Sequence, residues 1–228
     1  MEKGWSPELI SGRPKEEYSQ EISHECIYQF IHGKYAKVRD LKLWEYLPRK
    51  HQKRRKKHGR KGKRVLIPNR IDISLRPEIV EKRGRYGDWE EDTIFGRGKG
   101  AALATFNERK SRYVVICKLG QKTAKNMMEA ATKTFLCLPE GLRETLTFDN
   151  GSENMRHEEI TLRTAINVYF ARAYHSWERG GNERINGLIR RYYPKKTNFD
   201  EISEAELQHV QDQINHRPMK CLGFNPPP

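Results

Sequence analysis

The stretch WEEDTIFG at residues 89–96 opens the part of the chain that decides the fold, and AALATFNE at 101–108 and RYVVICKL at 112–119 follow it. Each run is rich in apolar, β-branched and aromatic residues, which favour strands. Turn-forming residues interrupt the runs at 96–100 and at 109–111. The pattern predicts three strands in an antiparallel meander.

Farther along the chain, helical and strand patterns alternate. TAKNMMEAATKTFL at 123–136 has apolar residues at helical spacing behind a Thr cap. TLTF at 145–148 and VYFARAY at 168–174 predict two more strands, and a helix is predicted from about Asn182 to Arg191. This order predicts a mixed α/β fold with a five-stranded sheet covered by helices.

Both ends of the chain carry helical signals. Residues 203–215 combine an apolar stripe with Ser203 and Glu206 in capping-box spacing, which predicts a helix that covers the core. Residues 5–32 contain two short helical patterns, and in the second Ile27, Phe30 and Ile31 share a face. Two interpretations fit equally, a helical hairpin packed on the core or half of a helix-turn-helix unit that reads a DNA groove. In the second interpretation, the residues that approach the groove are His24, Glu25, Tyr28 and Gln29.

Positive charge is concentrated in the segment RKHQKRRKKHGRKGKR at 49–64. The 228-residue chain has 44 Lys and Arg against 30 Asp and Glu, a formal net charge of +14, and this segment has no acidic residue. It predicts a flexible basic linker, and phosphate contact is favoured over a solvated charge run because neutralised phosphates release counterions. The expected DNA-binding residues are Arg49, Lys50, Lys53, Arg54, Arg55, Lys56, Lys57, Arg60, Lys61, Lys63 and Arg64.

These patterns divide the chain into three parts. We expect a helical, partial helix-turn-helix-like segment at 1–45, a basic linker at 46–84 and the α/β core at 85–228. The four cysteines show no metal-knuckle or redox spacing, so we expect reduced and mostly buried thiols. Neither a secretory signal nor a run of eighteen apolar residues is present, and we expect a cytoplasmic protein that does not contact membranes.

Three acidic residues stand out by their positions. Asp92 lies mid-strand on the face of Glu90 and Ile94, where an acid must be compensated or the strand must be an edge strand with its acids in water. Asp149 follows a strand end, which suits a ligand site but also an ordinary Asp-Asn-Gly turn. Glu183 lies in a first helical turn, where a carboxylate is also favoured by the helix dipole alone.

Taken together, the three acids have the composition of a two-metal phosphodiester site. Two of them, Asp92 and Asp149, belong to strand segments, and Glu183 belongs to a helix start farther along the chain. Shared carboxylates hold two Mg²⁺ ions about 4 Å apart, one activating the attacking hydroxyl and one stabilising the leaving oxygen. Magnesium prefers such hard oxygen ligands and keeps several waters, so few protein ligands are needed.

The blocks WEEDTIFG, TFDNGSE and HSWERGGNERINGLIRRYYPK resemble the acid-bearing blocks of the insertion-sequence-30 family of bacterial transposases, in the Asp-Asp-Glu group. WSPELISGR, ISHECIYQFI, the basic tract, IPNR and NHRPMKCLGFNPP resemble the same family in the same order. The resemblance therefore covers essentially the whole chain.

The resemblance implies a ribonuclease-H-like core that cuts double-stranded DNA at element ends and joins the 3′-hydroxyl to a target, using Mg²⁺ or Mn²⁺. It assigns the catalytic and metal-binding roles to Asp92, Asp149 and Glu183. Asn186 and Arg190 lie on the third acid's helix, where we expect them to approach DNA. The resemblance further implies a homo-oligomer, since two DNA ends must be joined. It also implies a location in the bacterial cytoplasm, associated with the nucleoid.

The sequence departs from the family pattern at several places. Glu91 stands where Gly is usual, which adds a carboxylate beside the site, and Glu178 stands where Gln is usual. The chain begins almost at WSPE and stops at Pro228, short of the usual family ends, so we expect a truncated copy. The alternatives to an active strand-transferase are a non-catalytic DNA-binding remnant and an RNA-binding protein that uses the basic tract with aromatic stacking.

Overall fold

The computed structural model describes residues 5–12, 22–32, 39, 43, 67–98, 100–172 and 180–228. The chain divides into two compact units. The first comprises Met1–Gly62 with His216–Pro227, and the second comprises Lys63–Asn215 with Pro228. In the described residues, no helix has the length and apolar character that crossing a membrane requires.

The larger unit is built on the predicted antiparallel meander. Its strands are β1 (Asp88–Phe95), β2 (Ala102–Glu108) and β3 (Val114–Leu119). β2 pairs antiparallel with both neighbours, as Glu91 opposite Phe106 and Thr105 opposite Ile116 show. The turn after β2 is closed by Glu108, whose carboxylate accepts hydrogen bonds from the backbone amide of Lys110 and the hydroxyl of Ser111.

Two parallel strands complete the sheet on the other side of β1. They are β4 (Thr145–Phe148) and β5 (Asn167–Phe170), and the strand order is β3-β2-β1-β4-β5. The five-stranded mixed α/β prediction is therefore confirmed. β5 ends earlier than the predicted 168–174, of which 173–174 lie outside the described residues.

Four longer helices flank the sheet: α4 (Ala124–Leu136), α5 (His157–Thr164), α6 (Gly180–Tyr192) and α7 (Glu204–Asn215). Three of them match predicted helices, and the capping hydrogen bonds of Thr123 on α4 and of Ser203 with Glu206 on α7 are present. The sequence pattern did not predict α5. Parallel neighbours such as β4 and β5 require a crossover, which α5 supplies.

Each face of the sheet has its own apolar core. One core joins Trp89, Phe106 and Phe148 of the strands to Phe135 of α4 and Ile160 of α5. The second core joins these side chains of the strands, α6 and α7: Ile94, Leu103, Val114, Ile116, Ile185, Ile189, Leu207, Val210 and Ile214. α6 therefore lies on the face that carries the even-numbered residues of β1.

The segment 67–84 corrects the linker prediction for 46–84. It contains a 3-10 turn at Ile73–Leu75 and the short helix α3 (Glu78–Glu81), and its apolar side chains Ile67 and Val80 are buried. Its backbone runs along β5, where the amide of Phe170 donates to the carbonyl of Ile71. Composition averaged over the basic tract concealed these few apolar anchors. Residues 46–66 lie outside the described residues.

The smaller unit contains the two helices predicted near the amino terminus, α1 (Pro7–Ser11) and α2 (His24–His32). The Tyr28 hydroxyl donates to Glu8 at 2.8 Å, which joins α2 to α1. Ile31 is buried, but Phe30 is 51% exposed, so the predicted apolar face is only partly covered. The helix-turn-helix and hairpin interpretations both stay predictions.

The prediction of mostly buried cysteines is wrong. Cys26, Cys137 and Cys221 are exposed free thiols, and Cys117 is half-buried. Their positions explain the exposure, because Cys137 ends α4 and Cys221 lies in a short 3-10 turn. Burial raises the pKa of the Cys117 thiol.

We expect Phe135→Ala to lower the free energy of unfolding by about 3–5 kcal/mol, because it leaves a cavity beside Trp89 and Phe106. The matched control is the next residue, Leu136→Ala, whose side chain is 54% exposed and which should cost no more than about 0.5 kcal/mol. Urea unfolding of the full chain measures both. Equal losses would contradict the assigned core.

Candidate active site

The pairing of β1 with β4 brings two of the predicted acids side by side. Asp88 pairs with Thr145, and Glu90 pairs with Thr147. Extended by two residues beyond its last observed pair, the register sets Asp92 opposite Asp149, which follows directly after the end of β4. Partners in a parallel register share a face of the sheet. Asp92 and Asp149 are therefore neighbours on the face covered by α6.

Helix α6 is fastened to β1 at the first acid. The Asn182 side chain donates to the carbonyl of Glu91 at 3.0 Å, and the Asn186 side chain donates to the Oδ2 of Asp92. Residues four apart lie on one helix face, so these two amides fix that face against the strand. Glu183 lies between them in sequence, in the first turn, and is exposed.

Asp149 is held by the turn that follows β4. Its Oδ1 accepts hydrogen bonds from the Gly151 amide at 2.8 Å and from the Asn154 side chain at 3.0 Å. The side-chain amide of Asn150 donates to the carbonyl of Ala171 at 2.7 Å, which ties the turn to the end of β5. The structure therefore shows the Asp-Asn-Gly turn at Asp149, and the ligand interpretation stays a prediction.

Glu91 lies on the opposite face of β1 from Asp92, in register with Phe106, and is fully buried. Burial raises the pKa of Glu91 well above its ordinary value, and the negative charges of Asp149 and Asp92 raise it further. The Thr93 hydroxyl donates to the Glu91 carboxylate at 2.9 Å. Glu91 thus adds a carboxyl group to an already acidic neighbourhood.

The three predicted acids have the chemistry to bind a divalent cation, but their positions fit such a site only in part. Asp92 and Asp149 carry carboxylate oxygens, the ligands that Mg²⁺ prefers, and the pKa of Glu91 is raised first by burial and then by the negative charges of Asp149 and Asp92. Within the ranges that the structure describes, no three His, Cys, Asp or Glu side chains form a group that could hold one metal ion. Glu183 therefore does not lie close enough to Asp92 and Asp149 to form one metal-binding group with them.

Glu90 shares the face of Asp92 but is neutralised by arginine. Arg109 forms a buried ion pair with Glu90 and also contacts Glu81 at 3.3 Å. Arg76 contacts the same Glu81 oxygen at 2.5 Å and donates to the Thr147 hydroxyl at 2.8 Å. Burial and the neighbouring charge of Arg109 lower the pKa of Arg76. This network ties α3 to β1 and β4 beside the two acids.

The predicted DNA-binding residues divide into three groups. Asn186 contacts Asp92, as described, so it lies at the acids. Arg190 donates to the backbone carbonyl of Phe95 at 2.6 Å, and burial lowers the pKa of its guanidinium. Arg190 therefore holds the end of β1 to α6. The third group, the basic tract 49–64, lies outside the described residues. Glu178, which departs from the family pattern, also lies outside them.

Sequence patterns alone missed the residues that hold the acids in place. Asn154 contacts Asp149 from five residues away, and Asn182 contacts β1 from the turn before Asn186. The four-residue spacing of the two α6 asparagines was visible and could have indicated a polar face turned toward the sheet. The partner of Asn154 follows only from the turn's conformation.

The comparisons with known proteins agree with this architecture. The integrase core domain family matches residues 83–176. The chain is 42% identical over its full length to the transposase for insertion sequence element IS4351 of Bacteroides fragilis. It is 39% identical to the transposase InsI for element IS30A of Escherichia coli K12 and 34% identical to the transposase for element IS1086 of Cupriavidus metallidurans, both again over its full length. It spans 69%, 61% and 68% of the lengths of these three relatives.

The mixed five-stranded sheet and the matching domain define a ribonuclease-H-like integrase core, the class that acts in DNA transposition and integration. More narrowly, the chain belongs to the insertion-sequence-30 family of transposases. The family is one of DNA-binding polynucleotidyl transferases, and divalent metals are typical of it.

We expect Arg109→Met to lower the free energy of unfolding by about 3–5 kcal/mol, because the buried carboxyl group of Glu90 would lose the cation paired with it. The double variant Glu90→Leu with Arg109→Met should recover most of that loss. Arg156→Met breaks an ion pair with Glu159 at the surface and should change stability little. Urea unfolding distinguishes them, and a double variant as unstable as the single one would contradict the assigned pair.

Proposed function

We propose that this protein catalyses metal-dependent cleavage and strand transfer of double-stranded DNA at insertion-sequence ends, with Asp92, Asp149 and Glu183 as its catalytic acids. The β1–β4 register carries the proposal, because its continuation pairs two of the acids on one face. Glu183 is the third acid by its place in the first turn of α6, next to both asparagines that contact β1.

Asp92 and Asp149, with Glu183 moved toward them from its position in this structure, would hold two Mg²⁺ or Mn²⁺ ions. Such ions would lower the pKa of the attacking water and stabilise the leaving oxygen. In the first step, water attacks phosphorus and the bond to the 3′-oxygen breaks, leaving a 3′-hydroxyl at the element end. In the second step, this hydroxyl attacks a target phosphodiester and displaces its 3′-oxygen. Asn186 contributes by holding the Oδ2 of Asp92 in one orientation.

We propose that the protein attracts and binds DNA through its positive charge. The formal net charge of +14 attracts phosphates at long range, and the basic tract 49–64 would bind the backbone without reading sequence. We propose that Asn186 and Arg190 bring the α6 face close to the bound strand. The protein would act as a homo-oligomer, since two DNA ends must be joined. It would act in the bacterial cytoplasm, at the nucleoid.

Asp92→Asn tests the catalytic assignment. We expect loss of Mg²⁺-dependent nicking of supercoiled plasmid by at least about 100-fold, since a metal supplies several kcal/mol of transition-state stabilisation. Binding to a labelled 30-base-pair duplex should be retained. Asp212→Asn, an exposed acid on α7, is the matched control and should nick like the unaltered chain.

Two results would overturn the assignment. Intact nicking by Asp92→Asn would show that this carboxylate is not a metal ligand. Salt-sensitive duplex binding without nicking by the unaltered chain, with either Mg²⁺ or Mn²⁺, would favour the alternative, a non-catalytic DNA-binding remnant.

Asn186→Ala tests the positioning of Asp92. We expect the Mg²⁺ concentration for half-maximal nicking to rise roughly 10-fold, because residues that orient a ligand typically change metal affinity by 10-fold to 100-fold. Gly187→Ala is the control on the same helix, since an added Cβ there meets open space. Its Mg²⁺ dependence should be unchanged. An unshifted Mg²⁺ dependence in Asn186→Ala would contradict the positioning role.

A further inference from the structure

Arg70 lies next to the second acid, although it comes far before Asp149 in the sequence. Its Nη1 donates to the Oδ1 of Asn150 at 2.5 Å, and Asn150 directly follows Asp149. The nitrogen of the same side-chain amide donates to the carbonyl of Ala171. Asn150 therefore fixes the guanidinium of Arg70 at the edge of the sheet where β4 and β5 end.

The backbone on both sides of Arg70 is anchored. Before it, the carbonyl of Pro68 contacts the His157 ring nitrogen at 3.0 Å, and the Asn69 side chain donates to Glu158 at 3.0 Å. After it, the Ile71 carbonyl accepts from Phe170 at 2.8 Å. Asn69 has φ +49°, a left-handed conformation that asparagine tolerates better than most residues. Arg70 is thus presented by a segment with a defined conformation.

The charge environment of Arg70 differs from that of the other arginines near it. Arg76, Arg109 and Arg172 each have a carboxylate partner. In the part of the chain that the structure describes, no carboxylate lies within ion-pairing distance of Arg70, and its side chain is exposed. A neutral amide orients the Arg70 guanidinium, and no carboxylate of the described residues forms an ion pair with it.

An arginine of this kind suits a phosphate group. The guanidinium is planar, always charged and carries five N–H donors in a fork that matches two phosphate oxygens. Binding to Asn150 uses one donor and fixes the plane of the others. A phosphodiester approaching Asp149 also meets the negative charge of Asp92, so a cation at this position lowers the repulsion.

We propose that Arg70 binds a DNA phosphate at the active site and positions the strand against Asp149. This inference rests on the proposed function in one respect, that the protein binds duplex DNA. It does not require that the protein cleaves DNA. Arg70 is a binding and positioning residue, and Asn150 orients it.

Fluorescence anisotropy with a labelled 30-base-pair duplex, across 50 to 200 mM salt, tests the proposal on the full chain. For Arg70→Gln, we expect the slope of log affinity against log salt to fall in magnitude by about 0.9, the value for one phosphate contact. Arg70→Lys should keep the slope, because its charge is retained. Arg163→Gln removes another exposed arginine, on α5, and should also keep the slope.

Plasmid nicking gives the second measurement. Arg70→Gln should nick roughly 10-fold to 100-fold more slowly, the range for a lost hydrogen bond to a charged group, with an unchanged midpoint of urea unfolding. A salt slope for Arg70→Gln equal to that of the unaltered chain, or lowered equally in Arg163→Gln, would overturn the proposal. If the unaltered chain never nicks DNA, the catalytic function fails, and the salt slope alone still decides the role of Arg70.

Discussion

The parallel pairing of β1 with β4 is the constraint on which the rest of the site depends. Its hydrogen bonds set the register, and the continuation of that register places Asp92 opposite Asp149. A slip of one residue would turn one of the two acids to the other face of the sheet. The buried residues Trp89 and Leu146, paired in the same register, oppose such a slip because it would turn one of them out of the core that they share.

The same strands carry more negative charge than a sheet interior ordinarily contains. Glu90 is compensated by Arg109, and Glu153 by Lys122 at 2.8 Å. The pKa of Glu91 is raised because burial and its acidic neighbours disfavour its ionised form. The acids beside Asp92 and Asp149 thus each have either a nearby cation or a raised pKa. In the proposed function, a bound cation would compensate the charges of Asp92 and Asp149.

Much of the fold could be predicted from the sequence because local patterns determine it. Strand runs such as WEEDTIFG and the cap at Thr123 depend on near neighbours, and they were found. α5 was missed, since its sequence HEEITLRT is polar and only the parallel pairing of β4 with β5 demands a crossover there. The anchored segment 67–84 was assigned to a linker because its contacts are to residues far along the chain.

The strand positions of Asp92 and Asp149 were easier to predict than the contacts that hold these two side chains. Asp92 and Asp149 follow from strand position, whereas the contacts of Asn154 and Arg70 depend on a turn conformation and on a distant segment. The third acid depends on a helix instead of a strand. Glu183 takes its direction from the rotation of α6, which Asn182, Asn186 and the packing of Ile185 set together. Because adjacent helical residues point about 100° apart, Glu183 does not share the direction of Asn182, and within the described residues it forms no metal-holding group with Asp92 and Asp149.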